Sequence, residues 1–269
     1  MNTRPARILI IGGSDSSGGA GIQADIKTAT ALGAYAMTAI TAVTVQDTTG
    51  VSSVQLMPPK LVAAQMRACL KDIGADFIKI GMLGSAEIAL AVIDTLRNHA
   101  LDICSVLDPV IASTSGAALL DEAGIKVLRE QLVPFSTLVT PNIPEAEMLT
   151  GIACNDLDGM KRAAALLGGG GKGAYVKGGH GQTAMLADVY GSFGRTTIFE
   201  HPRLDTVHTH GTGCTLATAA AVGMAQGLMM EEAVVLAHDY VQAAIAAAPG
   251  FGRGQGPLNH MHAIPPYRS

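Results

Sequence analysis

Ile8-Leu9-Ile10-Ile11-Gly12-Gly13-Ser14-Asp15-Ser16-Ser17-Gly18-Gly19-Ala20-Gly21 is the stretch on which the reading of the fold turns. Four branched apolar residues in a row predict a strand buried on both faces. The glycines that follow allow positive φ and a close approach of ligand to backbone. From about Ala20 to Leu32 the pattern is helical and stops at Gly33. A strand that passes through a glycine loop into a helix is the opening unit of a parallel α/β sheet. Within the loop two readings stand: a backbone cradle for a ligand, or a tight turn with Ser17 as helix cap.

The same alternation continues outward. Thr38–Val45 is rich in β-formers and ends at Gln46-Asp47, and Pro59–Lys71 has helical spacing. Phe77–Ile80, Ser105–Leu107, Leu138–Thr140 and Ala174–Lys177 read as short strands. Glu87–Arg97, Glu122–Leu132, Asp158–Leu167, Thr215–Gly227 and Glu231–Ala248 read as helices. Strands alternating with helices of this length predict a three-layer α/β fold: a mostly parallel central sheet with helices on both faces. No repeat or long linker divides the chain, so residues 1–269 are expected to form one domain.

Composition narrows the function. Only 15% of the 269 residues are charged, and 18 basic against 22 acidic residues leave a formal charge of −4. That argues against a nucleic-acid partner, which needs a basic face, and against a polybasic membrane-surface protein. The apolar run at the N-terminus is too short for a signal peptide, and no stretch approaches the length of a membrane span. Cys69, Cys104, Cys154 and Cys214 are far apart without CxxC spacing. The first three read as buried small hydrophobes in a reducing cytoplasm. A charge-poor surface also leaves room for a homodimer contact.

In such a sheet the ligand lies beyond the C-terminal strand ends. The residues there are Gly12-Gly13-Ser14-Asp15, Gln46-Asp47, Gly81-Met82, Asp108-Pro109, Pro141-Asn142 and Lys177-Gly178-Gly179. Neither a dinucleotide fingerprint nor a Walker A loop is present. Gly168–Gly173 follows a helix and precedes a strand, so it reads as a helix stop. Thr209-His210-Gly211-Thr212-Gly213-Cys214-Thr215 instead precedes an Ala-rich helix, where successive amides and the helix dipole favour an anion. A thiol at such a helix start should have its pKa lowered. A glycine-punctuated cap with an inert Cys214 is the other reading. His180, His201, His210, His260 and His262 are scattered along the chain and read as surface or satisfied histidines rather than metal ligands.

Seven segments occur in an order that resembles a known family: GSDSSGGAGIQADIKT (Gly13–Thr28), ALGAYAMTAITAVTVQDT (Ala31–Thr48), KIGML (Lys79–Leu83), LDPV (Leu107–Val110), TPNIPEAE (Thr140–Glu147), VKGGH (Val176–His180) and THGTGCTL (Thr209–Leu216). Together they resemble the hydroxymethylpyrimidine/phosphomethylpyrimidine kinases of thiamine biosynthesis, within the ribokinase-like superfamily.

The resemblance implies an ATP-dependent kinase acting on 4-amino-5-hydroxymethyl-2-methylpyrimidine and its monophosphate, with Mg2+; it leaves a monovalent-cation requirement open. It also implies an anion hole at Gly211, Thr212 and Gly213, and Cys214 as general base. The pyrimidine site falls on Gly13, Asp25, Gln46, Met82 and Val110. Lys177, Asn142 and Asp108 match nucleotide-binding positions, Glu145 and Asn142 the magnesium motif, and Ser113-Thr114-Ser115-Gly116 a flap. Asp47 stands where relatives usually carry Asn, which sets a potential charge beside Gln46. The alternatives are a pyridoxal kinase of the same superfamily and a non-catalytic pyrimidine sensor.

Overall fold

The computed structural model of the chain describes residues 4–113, 116, 118–179 and 185–264. It contains a nine-stranded sheet in the order β3-β2-β1-β4-β5-β6-β7-β8-β9. The strands are β1 (Arg7–Asp15), β2 (Tyr35–Asp47), β3 (Gly50–Leu56), β4 (Phe77–Ile80), β5 (Ser105–Leu107), β6 (Leu138–Val139), β7 (Gly173–Val176), β8 (Met185–Ser192) and β9 (Arg195–Pro202). From β2 to β7 neighbouring strands are parallel; β3 pairs antiparallel at one edge, and β8 and β9 do so at the other.

Every residue of β4 and β5 is buried, because successive side chains enter opposite helical layers. On one face Leu9, Ile11, Ile78, Ile80 and Leu107 meet α2 (Pro59–Asp72) and α3 (Ala86–His99). On the other face Ile8, Ile10, Phe77 and Val106 meet α1 (Gly21–Ala31), α8 (Thr212–Ala225) and α9 (Met230–Ala246). With so few aromatics, α8 packs through a run of alanines, Ala217 and Ala219–Ala221, which brings its backbone close to the sheet. The remaining helices are α4 (Glu122–Val127), α5 (Val133–Phe135), α6 (Ile143–Thr150) and α7 (Leu157–Leu167).

The expected three-layer, mostly parallel fold is the one observed, with local corrections. Strand β1 does not end at Ile11. It continues to Asp15 through a register shift between Gly12 and Ser14, pairing Asp15 with Thr44. Helix α1 is not capped by Ser17; its N-cap is Ala20, without a side-chain bond. The Asp15 carboxylate orders the turn instead, accepting from the amides of Ser17 and Ala20 at 2.8 Å each. The expected helix over Glu122–Leu132 is α4 followed by a π-helical turn at Leu128–Leu132. Strands β3, β8 and β9 and helix α6 were not anticipated. Most of β3 and β9 faces solvent and lacks apolar alternation. Among the cysteines only Cys154 is buried as expected; Cys69 is half-buried and Cys104 exposed.

Candidate active site

The C-terminal ends of the parallel strands open into a cleft of about 870 Å³. All thirteen anticipated site residues lie along it, so residues as far apart in sequence as Gly13 and Cys214 converge on one rim. At one end are Gly13, Gln46, Met82 and Val110. The start of α8 with Cys214 also lines the cleft, as do Asp108, Asn142, Glu145 and Lys177, with Gly213 against Lys177 and Asp108.

The first end is shaped by close approaches. A Cβ at Gly13 would sit 2.9 Å from Met82 Sδ, so only glycine leaves that sulfur its place. The Gln46 carboxamide is held on both sides: Oε1 accepts from Thr44 Oγ1 at 3.1 Å, and Nε2 lies 3.3 Å from His210 Nε2. His210 is buried and 2.8 Å from Asp15 Oδ2. The hydrogen bonds from His210, Ser17 and Ala20 hold the Asp15 carboxyl below its usual range, against the opposing effect of burial. Asp47 turns away from this end. Its Oδ1 accepts from the Thr49 amide at 2.8 Å and its hydroxyl at 2.6 Å, which closes the β2–β3 turn. The charge expected beside the Gln46 amide is therefore used in the hairpin.

Gly211 opens α8 with φ of 90°, and a Cβ there would fall 2.0 Å from the Gly19 carbonyl oxygen. The first-turn amides of a helix have no partner within it; that of Thr212 reaches back to the Thr209 carbonyl at 3.3 Å. A Cβ on Gly213 would lie 3.1 Å from Lys177 Nζ and 3.4 Å from Asp108 Oδ2, so both groups stand directly against the helix start. Lys177 Nζ is 3.0 Å from Asp108 Oδ1. Burial opposes the lysine's charge, but the carboxylates of Asp108 and Glu145 outweigh it and raise its pKa.

The Asn142–Glu145 pair forms a capping box on α6. Asn142 Oδ1 accepts from the Glu145 amide at 2.9 Å, and Glu145 Oε2 accepts from the Asn142 amide at 2.8 Å. The Asn142 oxygen and Glu145 Oε2 are thus both engaged in the cap, and the carboxylates of Glu145 and Asp108 are the hard oxygen donors that a magnesium ion would take here. Burial raises the Glu145 pKa to about 7, with Lys177 pulling the other way.

Two expectations change. Burial pushes the Cys214 thiol up to about 12; the charge of Lys79 and the Gly21 backbone oppose this without reversing it. The helix start was expected to lower this pKa, but Cys214, half-buried at the cleft floor, loses enough water for desolvation to raise it instead. Asp25 lies at the cleft but is fully buried, with Oδ2 2.9 Å from Lys79 Nζ and Oδ1 2.7 Å from Thr218 Oγ1. Both oxygens are engaged within the protein, so Asp25 supports the site from beneath.

Lys79, Thr218, Asp15 and His210 were missed as site residues. Lys79 did leave a signal: a lone cation in the apolar strand Phe77-Ile78-Lys79-Ile80 requires a buried carboxylate. His260 is satisfied as expected, 3.0 Å from Thr215 Oγ1, and burial lowers its pKa to about 4. Thr114, Ser115 and His180 lie outside the described residues.

An α/β sheet with antiparallel edges, a cleft at its strand ends and a GTGC helix start define a ribokinase-like small-molecule kinase. The sequence profile of the phosphomethylpyrimidine kinase family matches residues 15–259, and the chain belongs to that family. It is 43% identical over 259 residues to the hydroxymethylpyrimidine/phosphomethylpyrimidine kinase of Haemophilus influenzae, covering 94% of this chain and 96% of the relative. It is 44% identical over 255 residues to the thiamine biosynthesis bifunctional protein ThiED of Geobacter sulfurreducens, spanning 94% of this chain but only 52% of that longer protein. Among solved structures, the ADP complex of Bacillus subtilis pyridoxal kinase superposes with a TM-score of 0.88 at 32% identity, over 96% of this chain and 98% of that one.

Proposed function

We propose that this cleft transfers the γ-phosphoryl group of ATP to the hydroxymethyl arm of 4-amino-5-hydroxymethyl-2-methylpyrimidine, and then to the phosphate of the monophosphate formed, in thiamine biosynthesis. One observation carries the reading. The Gln46 carboxamide, the α8 start with Cys214 and the Asp108–Lys177 pair line one cleft, and Gly213 of that helix start lies against Lys177 and Asp108.

At the first end the Gln46 carboxamide offers a donor and an acceptor to the ring nitrogen and 4-amino edge. Met82 and Val110 supply apolar walls. At the other end Lys177 binds nucleotide phosphate oxygens, with Asn142 and Asp108 beside it. Mg2+ held through Glu145 and Asp108 would neutralise phosphate charge. The amides of Gly211 and Gly213 would face the phosphoryl group in transit, joined by that of Thr212 once it lets go of the Thr209 carbonyl, where such charge-directed donors are most effective.

Cys214 is assigned as general base for the hydroxymethyl proton. Desolvation raises the pKa of its thiol and so favours the protonated form. The reactive form is the thiolate, which the charge of Lys79 stabilises. The proton taken from the alcohol ends on sulfur as the oxygen–phosphorus bond forms.

A pyridoxal kinase is the second reading, favoured by the close superposition on the Bacillus enzyme. ADP release measured with the pyrimidine, its monophosphate and pyridoxal separates them; turnover of pyridoxal alone overturns the first reading. We further place the protein in the cytoplasm as a homodimer. Val43 and Val45 stand exposed on β2, facing away from the cleft-lining Thr44, as apolar surface for a second copy. No described helix is long and apolar enough to cross a membrane. The Mg2+ requirement, and any assistance by K+, are read from turnover in chelator-treated enzyme with each ion restored.

A further inference from the structure

Asp188, His201 and His238 come from three elements, β8, β9 and α9, and meet in the wall of the cleft. Asp188 pairs with Phe199 across the β8–β9 ladder, and Tyr175 pairs with Tyr190 across β7–β8. Tyr175, Asp188 and His201 therefore share one face of the sheet, the face that α9 covers with His238. One donor atom from each of Asp188, His201 and His238 lies within 4.8 Å of the other two, and all three residues are buried. Among the described residues this is the only group of three or more such donors gathered this closely.

We infer that Asp188, His201 and His238 bind one divalent transition-metal ion of the zinc class, at a site separate from the carboxylates beside Lys177.

Three observations carry the assignment. First, both ring nitrogens of His201 are buried without a hydrogen-bond partner, its Nε2 lying 3.6 Å from Asp188 Oδ2. Buried polar atoms are rarely left so, and a cation shared by a His201 ring nitrogen and the Asp188 carboxylate would satisfy both.

Second, the separations suit a metal. His238 Nδ1 is 3.7 Å from Asp188 Oδ2, and ligands about 2.0–2.1 Å from a tetrahedral zinc ion stand only a few tenths of an ångström closer together. Small rotations of the two imidazoles about their Cβ–Cγ bonds close the difference.

Third, the carboxylate is oriented from outside. Its Oδ1 accepts from the Gly178 amide at 2.6 Å, and Oδ2 accepts from Tyr175 Oη at 2.7 Å. Such supporting bonds fix a ligand's direction and tune its affinity. Tyr175 Oη also lies 2.9 Å from His238 Nδ1.

Two imidazoles and one carboxylate favour zinc or cobalt over magnesium, which prefers oxygen donors throughout. Because the three residues line the cleft, a fourth position remains for water or for a ligand in the cleft.

The test is metal uptake by the whole chain after chelator treatment. Calorimetric titration with Zn2+ should show one equivalent bound. Co2+ should give the visible absorption of a low-coordinate ion with nitrogen ligands. Both signals should vanish in His201→Gln and in His238→Gln and persist in Cys214→Ser, with circular dichroism reporting that each variant is folded. Tyr175→Phe, which removes only the hydroxyl, should weaken Zn2+ binding by about tenfold. Absence of Zn2+ uptake by the parent protein overturns the assignment. So does uptake that survives both histidine substitutions or depends on Cys214.

Discussion

Lys79 Nζ lies 2.9 Å from Asp25 Oδ2 with both side chains sealed from solvent, and the same ammonium acts electrostatically on the Cys214 thiol. One buried ion pair thus joins the floor of the sheet to the proposed base. Removing either partner leaves an uncompensated buried charge. Lys79→Met should destabilise the protein by about 3–5 kcal/mol, read from denaturant unfolding. Adding Asp25→Asn to it should recover part of that loss. If the two changes simply add, the pair is not coupled.

The assignment of Cys214 has its own kinetic signature. Cys214→Ala should reduce kcat by about 10²-fold or more with little change in pyrimidine binding. A base must be deprotonated, and burial raises this thiol's pKa, so parent activity should climb with pH on a limb above neutrality. Cys214→Asp, whose carboxyl ionises far lower, should move that limb to acid pH. A limb unaffected by either substitution places the base elsewhere.

Glu145 ties stability to the metal site. Its carboxyl is raised in the folded protein to about 7 from an ordinary 4.5. Folding therefore favours the protonated form, and this contribution is fully present below about pH 4.5 and lost as pH rises through about 7. Glu145→Gln keeps the helix cap, because a carboxamide can still accept from the Asn142 amide. Its melting temperature should exceed the parent's at pH 8 and match it near pH 4. Each kcal/mol corresponds to about 2–4 °C. At the same time it should raise the Mg2+ concentration needed for turnover.

Gly13→Ala tests the pyrimidine end. The added methyl meets Met82 Sδ at 2.9 Å, so the thioether must shift into the space assigned to the ring. KM for the pyrimidine should rise while KM for ATP stays unchanged. Equal effects on both would argue that Gly13 does not face the pyrimidine.

Much of this geometry was legible because parallel strands place chemistry at their C-terminal ends; Gln46, Met82, Asp108, Asn142 and Lys177 all follow short apolar runs and all reach the cleft. The edge strands were not legible, since β3 and β9 are solvated and owe their form to pairing rather than to burial. The direction of the Cys214 shift is not legible, because a helix start is visible in sequence while the desolvation that dominates the shift is not. The meeting of Asp188, His201 and His238 depends on register between β8 and β9 and on the docking of α9, which spacing alone does not encode.

The most direct measurement follows the products of one incubation with ATP and Mg2+ by mass spectrometry, offering the hydroxymethylpyrimidine and pyridoxal in competition. Pyrimidine monophosphate should appear first and pyrimidine diphosphate after it, both formed about 10²-fold more slowly in Cys214→Ala. Accumulation of pyridoxal 5′-phosphate with neither pyrimidine product would contradict the proposed function.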